Sequence, residues 1–355
     1  MLDAVVLGTK LDNPTDTFYV ASTLIEREWW SGDGYPDFVG VGTGDQNAIN
    51  AAICAVKKGT YDGVDCVDMD DSATGTVDLS HGDYFVNGNI FMKSGVHLEG
   101  LVSDDDGATQ IHLEEGAAGN TDIDAIVVMD DISDAWLQEV WIIGLYDPET
   151  SNGSPAVSGL GSTCLSVVNS QNITCEDLDV FFCDGDAAVV RGSTLVNLDA
   201  GRFDEELTPQ RIGLSRGTGL IVDSSDSVWV RSHTLYDNGV AGLHIMNSNN
   251  FTFEATIADY EGAEGQGNVG SLDGQQPIEV IVEGSSLVKF QDMKVQSVND
   301  PVMTITDSTA VSFTNGGYSR VASGTCTIQT DDPSTVTIDA DEDELVLEGT
   351  CYVKV

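Results

Sequence analysis

The sequence predicts an all-β solenoid, a parallel β-helix with a short N-terminal capping helix, and three observations predict it. One register recurs in nine places: one or two small polar residues, then apolar, any residue, apolar. It reads SGVHL (94–98), SDAWL (133–137), QNITC (171–175), STLVNL (193–198), DSVWV (226–230), NNFTF (249–253), SLVKF (286–290), TAVSF (309–313) and STVTI (334–338). The first apolar member therefore falls at Val96, Ala135, Ile173, Val196, Val228, Phe251, Val288, Val311 and Val336, in steps of 39, 38, 23, 32, 23, 37, 23 and 25. A bare coil of three short strands takes about 23 residues, so the longer steps are coils carrying roughly 9 to 16 inserted residues. The strand-like runs are short and punctuated by Gly, Ser or Asn. An antiparallel sandwich also has short strands, but not one motif repeating at a quantised step.

Taken in order, residues 1–41 read as an irregular attachment or capping segment rich in aromatics: Phe18, Tyr19, Trp29, Trp30, Tyr35 and Phe38. Trp29, Trp30 and Tyr35 suit either of two roles, folding back over the first coil or docking onto a larger particle or a sugar. The β-helix domain then runs from 42 to 355. It opens on GTGDQNAINAAICAV, an Ala-rich amphipathic helix, followed by GTVDLSHGDYFVNGNIFMKSGVHLEG up to Gly100. That order resembles the opening of right-handed parallel β-helices of the pectate-lyase and viral-tailspike superfamily. The matching residues are Gly75, Thr76, Val77, Leu79, Gly82, Tyr84, Met92, Lys93, Ser94, Gly95, Val96, Leu98 and Gly100. The resemblance implies right-handed winding and a helix capping the first coil. It leaves activity open, because lyases, hydrolases and adhesins share this fold.

Within each coil, alternate residues of a strand point in and out. Val, Ile, Leu and Phe then stack inside, with Phe253, Phe290 and Phe313 on related rungs. LQEVWI (137–142), CEDLDV (175–180) and FQDMKV (290–295) place a second apolar pair after a two-residue bend. The small polar residue before each strand fits a turn closed by side-chain hydrogen bonds, stacked as a ladder. Insertions are expected as loops near 103–122, 145–160, 201–217 and 259–277, decorating the side of a rod.

Charge sets the setting. Fourteen Lys and Arg against 59 Asp and Glu give a net charge of −45. On a surface of order 14,000 Å², that is one excess negative charge per roughly 300 Å². Such self-repulsion is tolerated where molar salt cuts the Debye length to about 3 Å. The composition therefore points to a halophile's protein, from a haloarchaeon or its virus. With 41% hydrophobic residues and dispersed acids, it is not a disordered acidic polymer. Nucleic-acid binding is excluded for the bulk surface, since phosphate contacts need Lys and Arg. No 18-residue apolar stretch exists, so no membrane insertion is expected. The start MLDAVVLGTKLDNPTD lacks a charged n-region, a twin arginine or an apolar h-region. This predicts assembly in the host cytoplasm and a place on the virion surface without a signal peptide.

Seven cysteines exclude complete pairing within the chain. Cys326 and Cys351, 25 residues apart, fit adjacent rungs, either bridged or as small hydrophobes. The others form no CxxC pair, the five His show no HxH or HExxH spacing, and the acid runs lack a calcium-loop spacing. No cofactor or dedicated metal site is expected, only diffuse cation binding to the acidic surface.

CDGDAAVVRG (183–192) resembles the Asp-Asp segment of the pectin-degrading hydrolases, which offers Asp184 and Asp186 as catalytic carboxylates. No Gly-His-Gly or Arg-x-Lys follows, and solvated acidic surface is the competing reading. Of seven arginines, Arg191, Arg202, Arg211, Arg216 and Arg231 fall within 41 residues. Arg202, Arg211 and Arg216 are expected either at a subunit or partner contact, or in local pairs with Asp204, Glu205 and Glu206. Two function classes follow. One is a virion surface spike or fibre, on a tail or capsid vertex, that contacts the host envelope or S-layer glycans. It would be a homo-oligomer, a trimer favoured, joined to other virion proteins through its N-terminal segment. The alternative is a polysaccharide lyase or glycoside hydrolase on acidic polysaccharide. Missing catalytic signatures favour the first.

Overall fold

Each repeat lies beside the next. This computed structural model describes residues 17–22, 38–40, 42–103, 107–114, 123–145, 162–199, 211–213, 215–236, 238–258, 280–297, 303–320, 325–330, 336–339, 345–348 and 350–354. Ala135 pairs with Ile173, Ile173 with Val196, Val196 with Val228, Val228 with Phe251 and Phe251 with Val288, all in parallel register. Val311 pairs with Val336. Trp136 opposite His97 and Lys289 opposite Ser312 place the two remaining steps in the same column.

The chain winds as a right-handed parallel β-helix. One sheet of ten strands, wall A, runs from Ile90–Phe91 to Thr350–Lys354. The remaining rungs form a continuous 17-stranded sheet that bends once in each coil. Its leading half, wall B, carries the repeated motif. Its trailing half, wall C, includes Gly82–Val86, Gly107–Leu113, the ends of Ser133–Ile143 and Gln171–Phe181, and Arg211–Gly213. Ten rungs at about 4.8 Å make a rod roughly 50 Å long.

Backbone conformation explains the punctuation. The turn from wall A to wall B needs two left-handed residues, three apart, which Asn, Asp and Ser fill repeatedly: Asn169 and Asn172, Ser224 and Ser227, Asn247 and Asn250, with φ between 48° and 58°. Between them sits a buried serine, and these serines form the ladder the spacing predicts. The amides of Ser170, Ser193, Ser225, Ser248 and Ser285 each donate to the hydroxyl one rung on, at 3.1–3.2 Å. The bend between walls B and C is likewise left-handed, at Glu139 and Asp177 (φ 55° and 51°). Inside, Phe251, Phe253, Phe290 and Phe313 are buried and stack face on or edge on, with ring centroids 5.0–6.3 Å apart.

The helix Gln46–Val56 closes the first coil, burying Ile49, Ala52 and Ile53 against the core. Asp45 accepts from the Gly42 and Phe85 amides, and the buried Lys57 ammonium donates to the carbonyls of Asp71, Ala73 and Ser94. A Cys54–Cys66 disulfide ties this helix to the hairpin Thr60–Tyr61/Cys66–Val67. A second disulfide joins Cys164 to Cys183, and Cys175 remains a buried thiol that burial pushes up to about 12. Cys326 and Cys351 are register partners on adjacent rungs.

Three stretches differ from the expectation. Within 103–122, Gly107–Leu113 is a wall C strand paired to Gly82–Val86 and Val140–Ile143, with Thr109, Ile111 and Leu113 buried inward. Its acidic flanks hide that alternation. Arg211–Gly213 in the 201–217 insertion is also a strand, beside Val180–Phe181. In the N-terminal segment, Thr17–Ala21 and Phe38–Val39 are strands, not irregular chain: the first pairs with Thr76–Leu79 and adds a layer beneath the first rung.

Candidate functional site

Wall C presents an aromatic column to the outside. The register runs Phe85, His112, Ile143, Phe181 on four successive rungs, each partly exposed. The Phe85 ring stacks on His112 with centroids 5.3 Å apart. Phe181 sits edge on to Trp141 at 6.1 Å and to Phe182 at 5.1 Å. Beside it runs a polar column of Asp83, Gln110, Trp141 and Asp179. His112 Nε2 lies 3.3 Å from Asp83 Oδ1 and 3.1 Å from Gln110 Oε1, so polar groups edge the ring stack. Across the bend, on wall B, Trp136 is 39% exposed and its ring lies 6.1 Å from His97.

The bend between these two surfaces gathers carboxylates. Asp78 pairs with Glu99, Glu99 with Gln138, Gln138 with Glu176 and Glu176 with Asp199 along one outward column, with Glu139 and Asp177 at the bend itself. Burial, then repulsion from Glu99 and Glu139, pushes the Asp78 carboxyl up to about 6. Burial, then Glu139, Glu176 and Asp199, does the same for Asp177. Asp177 Oδ1 is buried with no hydrogen-bond partner among the described residues, which disfavours its charged form. A proton-bearing carboxyl beside ionised ones is the arrangement general acid–base chemistry needs. Sequence reading missed this group because its members are 21 to 39 residues apart, and only the register brings them together. The repeat contained the signal: the second residue after each inward Leu or Cys is an acid at Glu139 and Asp177.

The residues singled out from sequence lie elsewhere. Asp184, Arg216 and Asp186 belong to short turns that stack from wall C to wall A, with the Gly217 amide bonding to the Gly185 carbonyl and the Val240 amide to the Gly217 carbonyl. Arg216 Nη1 reaches Asp184 Oδ1 at 3.0 Å, so the structure brings these two together. Asp186 is buried and accepts from the Thr218 amide at 2.7 Å, a structural contact. Arg191 and Arg231 pair with Asp223 and Asp199. Arg211 sits in a wall C strand opposite Thr234, one rung on from Asp179 in the polar column. Arg202, Trp29, Trp30 and Tyr35 lie outside the described residues, as do 146–161 and 259–279. Among the described residues no group of three His, Cys, Asp or Glu is arranged to hold a metal ion, and no helix is long and apolar enough to cross a membrane.

No protein-family model and no curated protein matches the sequence. Solved structures do. Full-length tailspike protein 2 from Escherichia coli O157:H7 bacteriophage CAB120 matches with a TM-score of 0.57 at 11% identity, over 87% of this chain and 40% of that one. The chain shares its fold with a phage tailspike. The enzymatically active domain of tailspike protein 2 from bacteriophage CBA120 matches at 0.52 and 10% identity, over 87% and 44% of the two chains. ORF18 of Geobacillus virus E2 matches at 0.53 and 12%, over 88% and 58%. The chain thus spans about half the length of these proteins. At such identities the likeness is one of fold.

Proposed function

We propose that this protein is a surface spike or fibre of a halophilic virus, carried on a tail or capsid vertex, that contacts the host envelope and its S-layer glycans. The observation that carries the reading is the fold shared with tailspike protein 2, since a stiff rod with decorated walls suits reaching a surface. The charge of −45 supports a high-salt setting. A homotrimer suits the role, because weak single-site contacts gain by avidity. In that assembly residues 1–41 would join the carrier particle, and Arg202 and Arg211 would meet a neighbouring subunit's acids. Immunogold labelling of purified particles tests the reading: label at the particle surface is expected, and particles free of the chain would refute it.

The alternative, a depolymerase, draws on the carboxyls at the bend. Asp177 as acid and Glu139 as its partner carboxylate would act on a glycosidic bond. Reducing ends released from host envelope glycans, and lost in Asp177→Asn, would favour this reading over a purely adhesive spike.

A further inference from the structure

We infer that the outward column of wall C is a stacking platform for an uncharged glycan chain. The inference rests on the spike reading and names the chemistry of its contact. Strand alternation sends half of each wall's side chains to the outside, a mostly polar set on wall B apart from His97, Trp136 and Trp229, and on wall A one that includes Phe91, Val128, Val189, Ile221 and Ile281. On wall C the outward positions hold two ring pairs, Phe85 stacked on His112 and Phe181 edge on to Trp141, all partly exposed, with Ile143 on the rung between His112 and Phe181. Large flat apolar groups left outside on a rod this acidic need a partner that is both ring-shaped and unrepelled. The rungs repeat at about 4.8 Å, close to the length of one sugar residue, so the two ring pairs with Ile143 between them offer successive sugars an apolar face. Asp83, hydrogen-bonded through His112, sits at the margin where sugar hydroxyls would reach it.

Charge selects the class. Asp83 flanks the platform on wall C, and Asp78, Glu99, Glu139 and Glu176 line the bend next to it. A uronic or sulfated chain would bring like charge onto this surface, and so would another strongly acidic halophilic protein. A neutral sugar donates hydroxyls to these carboxylates and stacks its C–H face on the rings at no such cost.

The test is calorimetric titration of the folded protein in molar KCl with neutral oligosaccharides of glucose, mannose, galactose and N-acetylglucosamine, against oligogalacturonate. At least one neutral series should bind saturably, with oligogalacturonate weaker because carboxylates brought into contact lie within the roughly 3 Å that molar salt leaves unscreened. Trp141→Ala and Phe181→Ala should each weaken binding about tenfold, or about 1.4 kcal/mol, with thermal midpoints lowered by no more than the lost outward ring contacts explain. A preference for oligogalacturonate, no binding of any neutral series, or variants that bind as the parent does would each overturn the inference. Adhesion to host cells separates the two levels: a parent that adheres alongside equally adherent variants removes the platform but keeps the spike. A parent that does not adhere removes the spike, while the titrations still decide the platform.

Discussion

Replacing Phe290 with Ala tests the register of the whole rod. Its ring is 1% exposed and lies between Phe253 at 6.2 Å and Phe313 at 5.0 Å, so truncation opens a void between two aromatic neighbours. Those neighbours sit on rungs held about 4.8 Å apart by backbone hydrogen bonds, and cannot close the gap by sliding along the axis. Limited relaxation places the cost in the upper part of the range for Phe→Ala, about 4–5 kcal/mol. Lys289→Ala, one residue away on an outward exposed position, should change stability by about 0.5 kcal/mol or less. Urea unfolding of both variants and the parent in molar KCl measures the difference. A small effect at Phe290 with the larger one at Lys289 would mean that the side chains face opposite to the assignment, a one-residue slip that would invert every wall.

Three further outcomes follow from the same structure. Asp177 has a folded-state pKa near 6, so the native chain keeps a proton that the unfolded chain releases, and stability should fall as pH rises from about 4 to about 6. Asp177→Asn should flatten that fall and stabilise at neutral pH by about 1 kcal/mol, the shift being discounted for a partly exposed carboxyl; denaturation midpoints across this window check it. Ser225→Ala leaves the buried Ser193 amide without its acceptor at 3.2 Å and should cost about 1–3 kcal/mol, while Ser227→Ala, at the turn surface, should cost less; urea midpoints compare the two. Thermal midpoints should climb steadily from millimolar to molar KCl as the repulsion among 45 excess charges is screened, and a flat response would remove the halophilic setting.

The column from Val96 to Val336 was legible in the sequence because one wall of each coil obeys two strict local demands. An inward apolar residue must follow a left-handed turn that Asn, Asp and Ser fill most often, around a buried serine, and both demands leave a mark at the same spacing. Wall C was harder to read. Its strands follow a left-handed bend that tolerates Glu139 and Asp177 as well as insertions of variable length, so the Gly107–Leu113 strand sat inside what reads as an acidic loop. The surface columns were not legible at all. Phe85 and Phe181, or Asp78 and Asp177, are about a hundred residues apart, and nothing local to either predicts the other. Asp184 and Asp186 illustrate the converse: closeness in sequence offered a catalytic pair, whereas the stacked turns set Asp184 against Arg216 and bury Asp186.

The measurement that bears most directly on the proposed role is adsorption blocking. Under the spike proposal, host cells in their growth salt are incubated with purified rod before addition of virus particles that carry the chain, and unadsorbed particles are counted as the rod concentration rises. The account predicts a saturable fall in adsorption, weakened when the added rod carries Trp141→Ala. Adsorption that stays constant while the rod remains folded would contradict it.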